Sequence, residues 1–488
     1  MHKLVIVITM LFFVSKADAQ FSVNFQPDKE PTTAIQYFKP TGNLFVGDCI
    51  PFYHEGTYYL YWLLDSGHHS ALGGLGGHQW TLSTSRDLKT WKHYPVVLGI
   101  DEAWEKSICT GSVVYYNKKF YAFYATRLID ASGKVNEQLS YAISDDGIHF
   151  KKQQPNPFYT SAPGYSKRNF RDPKVTVDAQ GKFHLFVSSS TEKSLLRGNG
   201  ALVHLTSTDL KNWAVESPLI FGQRDVPECP DYFEWHGWYY LIYGRGGNTF
   251  YLKSKQPYGP WEYPRYQALD EDWVNVAKTA QFNNDRRIVA GWIPSKKDSK
   301  DDGYEIFGGN IVLRELKQEK DGTLYTSFPT ETMPVSGSLV PISAVMDSLV
   351  KKNAQDNFTI QSYGGQSAVI LENIPVNSSI SFDVEPEGNI EEYGVYLHAS
   401  PGSSDGYKLA FSPDNLTASL AGSTIKAVDG LNKKITVQVI MKGDIIDVCI
   451  NGKRCIVNRL YEQKGSSLAL FAKHGKVTFS SIKIAPLQ

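Results

Sequence analysis

The stretch GDCIPFYHEGTYYLYW, which begins at Gly47, sets the fold. Apolar residues alternate on either side of the Glu55-Gly56 turn, so it reads as a β-hairpin with an aromatic-rich second arm. The same plan returns as CTGSVVYYNKKFYAFYATR from Cys109, RDPKVTVDAQGKFHLFVSS from Arg171, PECPDYFEWHGWYYLIYGR from Pro227 and, more weakly, AKTAQFNNDRRIVAGW from Ala277. A second, offset repeat follows most of these hairpins. It consists of Ser85-Arg86-Asp87 with Trp91, Ser144-Asp145-Asp146 with Phe150, Ser207-Thr208-Asp209 with Trp213, and more loosely Ser254 with Trp261. Two hairpins per unit make four strands, at a period of roughly 50 to 60 residues, which is in the range of propeller blades. The fold class is therefore all-β, with a five-bladed β-propeller over residues 20–335. Beyond it the blade signature stops and short alternating strands recur, such as SISFDVEP from Ser379 and ITVQVIM from Ile435. Residues 336–488 read as an antiparallel β-sandwich that covers one side of the propeller.

Residues 1–19 do not belong to the fold. Lys3, the apolar run Leu4 to Val14 and Ala17-Asp18-Ala19 have the form of a secretory signal peptide. The run is well short of the roughly 20 residues that span a bilayer. The expected protein is exported, to the periplasm or the medium, without membrane insertion of the mature chain. With 50 basic and 50 acidic residues in 488, the chain has no basic footprint for nucleic acid. Its 42% hydrophobic and 20% charged residues exclude a disordered chain. An aromatic content of 13% suits sites for sugars. The five cysteines show no metal-ligand spacing. Cys449 and Cys455 flank a hairpin turn and read as half-buried strand residues, although a disulfide there is geometrically conceivable.

In a propeller the first strand of each blade lines the channel. Matched on their hairpins, the five strands present Asp48, Thr110, Asp172, Glu228 and Lys278 at one mouth. Three carboxyls from three blades suit glycoside hydrolysis: one attacks the anomeric carbon, another protonates the leaving oxygen, and a third balances the cationic transition state. Any one of them alone reads as a turn cap; three in corresponding places read as a site. Trp62, Trp80, Trp104, Trp273 and Tyr243 are candidate sugar platforms. In the His- and Gly-rich stretch Gly67 to His78 a metal site is conceivable, but no carboxylate or thiol completes it, and the stretch reads as a loop over the pocket. Nothing calls for a cofactor.

Arg171-Asp172-Pro173 and Glu228-Cys229-Pro230-Asp231 resemble the R-D-P and E-C motifs of glycoside hydrolase family 32, the β-fructosidases. Gly77-His78, Ser85-Arg86-Asp87-Leu88, Thr110-Gly111-Ser112, Gly291-Trp292 and Arg314-Glu315-Leu316 are similar to family pieces and fall in the same order. The resemblance implies a cofactor-independent retaining enzyme that releases fructose from sucrose or from inulin- or levan-type fructans. It implies Asp48 as nucleophile, Asp172 as transition-state stabiliser and Glu228 as acid/base, with Asp48 and Glu228 roughly 5 Å apart. Arg171, Thr110, Gly111, Ser112, Trp292 and Cys229 then surround the sugar. The family pattern W-M-N-D-P-N-G around the nucleophile is here Leu44-Phe45-Val46-Gly47-Asp48-Cys49-Ile50, and Leu63 stands where the family has Gln. These departures leave two rivals open: a furanosidase of a related five-bladed family, acting for example on arabinofuranosides, and a carbohydrate-binding propeller without turnover.

Overall fold

The computed structural model describes residues 23–488 apart from Asn24, Lys29, Thr33, Ala34, 194–197, 270–273, Asp347 and Gln355. The expected signal peptide and Trp273 lie outside the described residues. The first blade comprises the antiparallel strands Leu44–His54, Thr57–Ser66, Gln79–Ser85 and Lys92–Leu98. The second is built from Ser107–Tyr116, Lys119–Ile129, Val135–Ser144 and the short Lys151–Lys152. Tyr165–Val177, Phe183–Thr191, Gly200–Ser207 and Ala214–Gln223 make the third. The fourth has Glu228–Trp235, Trp238–Arg245 and Asn248–Ser254, with single bridges from Glu262 and Ala268 on its outer edge. Asn275–Phe282, Arg286–Lys296, Glu305–Gln318 and Leu324–Ser327 form the fifth. The ring closes where Val46 of the first blade pairs with Gly309 of the fifth.

Local chemistry explains both sequence repeats. The inner hairpins turn through pairs of positive φ, Glu55-Gly56, Asn117-Lys118 and His236-Gly237, whose twist matches that of the flanking strands. In the offset repeat Asp87, Asp146 and Asp209 each accept two backbone N–H bonds from residues two and three further on. Trp91 then donates its indole N–H to the Leu88 carbonyl at 2.7 Å and is fully buried.

The sandwich is held by the strand Ser467–Pro486, which pairs with Glu392–Ala399 and Asn357–Glu372 and, further along, with Ser378–Glu387. Cys449 and Cys455 face each other across the hairpin as buried free thiols. The two units share apolar packing. Ile440, Ile445 and Val457 of the sandwich join Val289, Ile293, Val312 and Leu316 of the fifth blade in one cluster. Across that interface Arg314 forms a two-pronged ion pair with Asp447, 2.8 Å on each arm, with both side chains fully buried.

Candidate active site

Every inner strand breaks register at the same height. In the first blade Val46 pairs with Leu64 and Cys49 with Trp62, so two residues, Gly47 and Asp48, oppose Leu63 alone. The same two-against-one bulge holds Cys109-Thr110, Asp172-Pro173, Cys229-Pro230 and Val276-Ala277. A bulge re-aims side chains and frees backbone from the ladder, which suits a site at the rim of a closed sheet. The expected equivalence of the three acids needs correction here. Asp48 is the second bulge residue of its blade, Asp172 the first of its own, and Glu228 precedes its bulge. They nonetheless reach one cavity because the irregular backbone, with φ of 55° at Asp172 and 49° at Cys229, turns each strand differently.

That cavity has a volume of about 230 Å³ and takes Asp48, Asp172 and Glu228 from three blades. Trp292 donates its indole N–H to Asp48 Oδ1 at 3.2 Å, and the Cys229 thiol donates to Asp48 Oδ2 at 3.6 Å. The Cys229 backbone N–H donates to Asp172 Oδ2 at 3.1 Å. Arg171 places Nη2 on Glu228 Oε1 at 2.8 Å and Nε 3.6 Å from Asp172 Oδ2. Glu228 is the more open carboxylate, with 43% of its side chain exposed. Asp172 is 4% exposed, and its carboxyl is pushed up to about 7. Burial is the main cause; Arg171 opposes it, while Glu137, Glu228 and Asp48 add to it. Burial, with the charges of Asp48 and Asp172, also raises the Cys229 thiol well above its ordinary range, which makes it a hydrogen-bond donor and not a nucleophile.

One layer deeper, Lys278 donates to Thr110 Oγ1 at 2.9 Å and to the Gly111 carbonyl at 2.8 Å. Asp231 is fully buried between Lys174 Nζ, at 2.6 Å, and the backbone N–H of Thr279, at 2.8 Å. Thr110, Arg171, Cys229 and Trp292 line the cavity, as the sequence reading expects. Ser112 does not: its hydroxyl donates to the Pro173 carbonyl and accepts from Val175 N–H, stitching the second blade to the third. Gly111 serves close packing, since a Cβ there would sit 1.9 Å from the Phe123 carbonyl oxygen.

The tryptophan platforms are corrected as well. Trp62 is fully buried, bonded to Ser83 and packed on Phe25 and Phe38. Trp80 is fully buried and donates to the Cys109 carbonyl. Strand alternation turns both into the blade, and the neighbour of Trp62, Leu63, faces the cavity instead. Trp104, half-buried in the turn before Ser107–Tyr116, is not among the cavity-lining residues, and Tyr243 stacks on Phe250. The remaining lining is Leu63, His69, His78, Cys109, Arg127, Glu137, Asn275, Val276 and Phe307. His69 and His78 come from the stretch expected to cover the pocket. The sequence reading overlooks Asp65, just ahead of it, which takes His78 Nε2 at 3.1 Å and the His69 N–H at 2.8 Å. Phe307 stacks on His78 and lies against Trp292, so one wall of the cavity is aromatic after all.

The sequence profile of the glycosyl hydrolases family 32 N-terminal domain matches residues 38–327. The chain belongs to glycosyl hydrolases family 32. This family-32 chain is 23% identical to the raffinose invertase of Escherichia coli over 458 residues, covering 87% of this chain and 88% of that protein. It is 24% identical to the levanase of Bacillus subtilis, covering 99% and 73% respectively. Among solved structures, the fructan 1-exohydrolase IIa of Cichorium intybus superposes with a TM-score of 0.67 at 16% identity, over 92% of this chain and 97% of that one. The Bombyx mori β-fructofuranosidase superposes with a TM-score of 0.66 at 18% identity, over 94% of each chain. Those two likenesses show the shared fold of propeller and sandwich. Family membership makes the protein a glycosidase of the β-fructofuranosidase type.

Proposed function

We propose that the protein is an exported, retaining glycoside hydrolase that releases fructose from β-fructofuranosides such as sucrose or inulin- and levan-type fructans. The observation that carries this reading is the convergence of Asp48, Asp172 and Glu228 from three blades on one cavity. Family membership and the invertase and levanase relatives support the substrate class. Export rests on the apolar segment Leu4 to Val14 and the small residues around Ala19.

In the proposed chemistry Asp48 attacks the anomeric carbon of the bound fructosyl unit. Its two oxygens are aimed by Trp292 and Cys229. Glu228, steered by Arg171 and open to the outside, protonates the departing oxygen and afterwards takes a proton from water. Asp172 faces the sugar from the buried side and meets the positive charge of the transition state. Double displacement makes the first-formed product β-fructofuranose. Proton NMR during the first minutes of hydrolysis reads that anomer before mutarotation. An initial excess of the α anomer would exclude Asp48 as nucleophile.

A further inference from the structure

A carboxylate outside the three expected ones also faces the cavity. Glu137, on the third strand of the second blade, is 7% exposed and bridges two guanidinium groups. Arg127 donates to Glu137 Oε1 from Nε at 3.1 Å and from Nη2 at 2.8 Å. On the other side Arg171 Nε stands 3.6 Å from Glu137 Oε2, as close as it stands to Asp172. The same Arg171 holds Glu228 at 2.8 Å. Charges therefore alternate along one line, from Arg127 to Glu137 to Arg171 and on to Asp172 and Glu228.

We propose that Glu137 is a positioning residue that shares the Arg171 guanidinium with Glu228, so that Glu228 can hold the proton it must deliver to the leaving oxygen. This inference rests on the acid/base reading of Glu228 above. An arginine paired with an acid/base favours its charged form, and the charged form has no proton to give. A second carboxylate on the same guanidinium divides that attraction. Arg127 completes the balance by neutralising part of Glu137, and its own Nη1 is fixed by His69 Nε2 at 2.9 Å and the Leu75 carbonyl at 3.0 Å. The charged and titratable groups facing Glu137 are Arg127 on the paired strand, Arg171 from the third blade and Cys109, whose thiol lies 3.9 Å away on the first strand of its own blade. Beyond them stand His69, held neutral mainly by burial with a value near 4, and Arg168, which lines the groove that continues outward from His69, Arg127 and Glu137. The upward push of Glu137 on Asp172 agrees with this direction.

The test is the pH dependence of kcat/KM on whichever of sucrose, inulin or levan the parent hydrolyses fastest. Glu137→Gln removes the shared charge, so the descending alkaline limb should move to lower pH by about one unit, a tenfold loss on that side. Glu137→Asp keeps the charge and should keep the limb in place even if the rate falls. Arg127→Gln strengthens the pull of Glu137 on Arg171 and should move the limb the other way. It decides the matter if Glu137→Gln does not fold. An unmoved limb in both, shifts of the same sign, or an equal shift in Glu137→Asp would overturn the proposal. Glu228→Ala, measured on that same fructoside with enough enzyme to read its residual rate, separates the two readings. If the parental limb persists there, the role of Glu228 fails; if it vanishes there but Glu137→Gln leaves it alone, only the role of Glu137 fails.

Discussion

Asp48 sits with one oxygen on an indole N–H and the other on a thiol, two uncharged donors that aim the carboxylate without neutralising it. Asp48→Asn replaces that carboxylate with an amide oxygen of almost no nucleophilicity. Turnover should fall by several orders of magnitude with an unchanged melting temperature; near-parental hydrolysis would remove Asp48 from the mechanism. Asp172 invites a different experiment. Its carboxyl titrates near 7 in the folded protein and near 3.9 in an unfolded chain. Between those values the folded state keeps a proton that the unfolded state has lost, so its stabilising contribution is full below the lower value. That contribution is lost as pH rises to the upper one, by about 1.4 kcal/mol per unit at most. Asp172→Asn does not titrate. Its stability relative to the parent should therefore climb from pH 4 to pH 7 and then level, while activity is lost; a pH-independent difference in melting temperature would contradict this. The three acids are legible in the sequence because each sits in a short, recognisable motif. Glu137 and Arg127 are not. They lie near the ends of regular strands and in no recognisable motif, and only the meeting of the second and third blades brings them to the cavity.

Five β-bulges at one height bring residues of five inner strands to the rim of one cavity. The hairpin repeat is visible in the sequence because period-2 alternation and positive-φ turns leave a strong local imprint. A bulge leaves almost none, being one extra residue whose partner lies across the ladder. The acids are therefore predicted to be equivalent when they occupy three successive registers. The platforms fail for the same reason, since a one-residue slip reverses which face of a strand a side chain takes, and Leu63 stands where Trp62 is expected. Gly111 tests this scale. Gly111→Ala forces a Cβ against the Phe123 carbonyl and should cost roughly 1–3 kcal/mol of stability, with KM unchanged in the folded fraction. A raised KM at an unchanged melting temperature would return Gly111 to the substrate-contacting group.

At the level of the whole molecule the two units share packing but not chemistry. Among the described residues, none from the sandwich lines the cavity that holds Asp48, Asp172 and Glu228. Arg314 belongs to a recognisable motif, yet its buried partner Asp447 lies 133 residues further on, and no local pattern announces the pair. Asp447→Ala would strand that guanidinium in the interface, at a cost of about 3–5 kcal/mol in thermal or urea unfolding. The kcat/KM of the folded enzyme should stay at the parental level, and a large drop would mean that the sandwich acts on the site. Removing the sandwich altogether uncovers Val289, Ile293, Val312 and Leu316 on the fifth blade, so the propeller alone should be poorly soluble. A soluble, fully active propeller would show that the interface is dispensable.

A double displacement with Glu228 as acid/base makes the effect of losing Glu228 depend on the leaving group. Glu228→Ala is assayed on a natural fructoside and on an activated aryl fructoside, each with and without azide. The natural substrate needs a proton on a leaving alcohol of high pKa, so its hydrolysis should collapse. The aryl substrate should still form the covalent intermediate, and azide should then speed turnover and yield a fructosyl azide of retained configuration. Equal losses on both substrates with no azide rescue would exclude Glu228 as the acid/base.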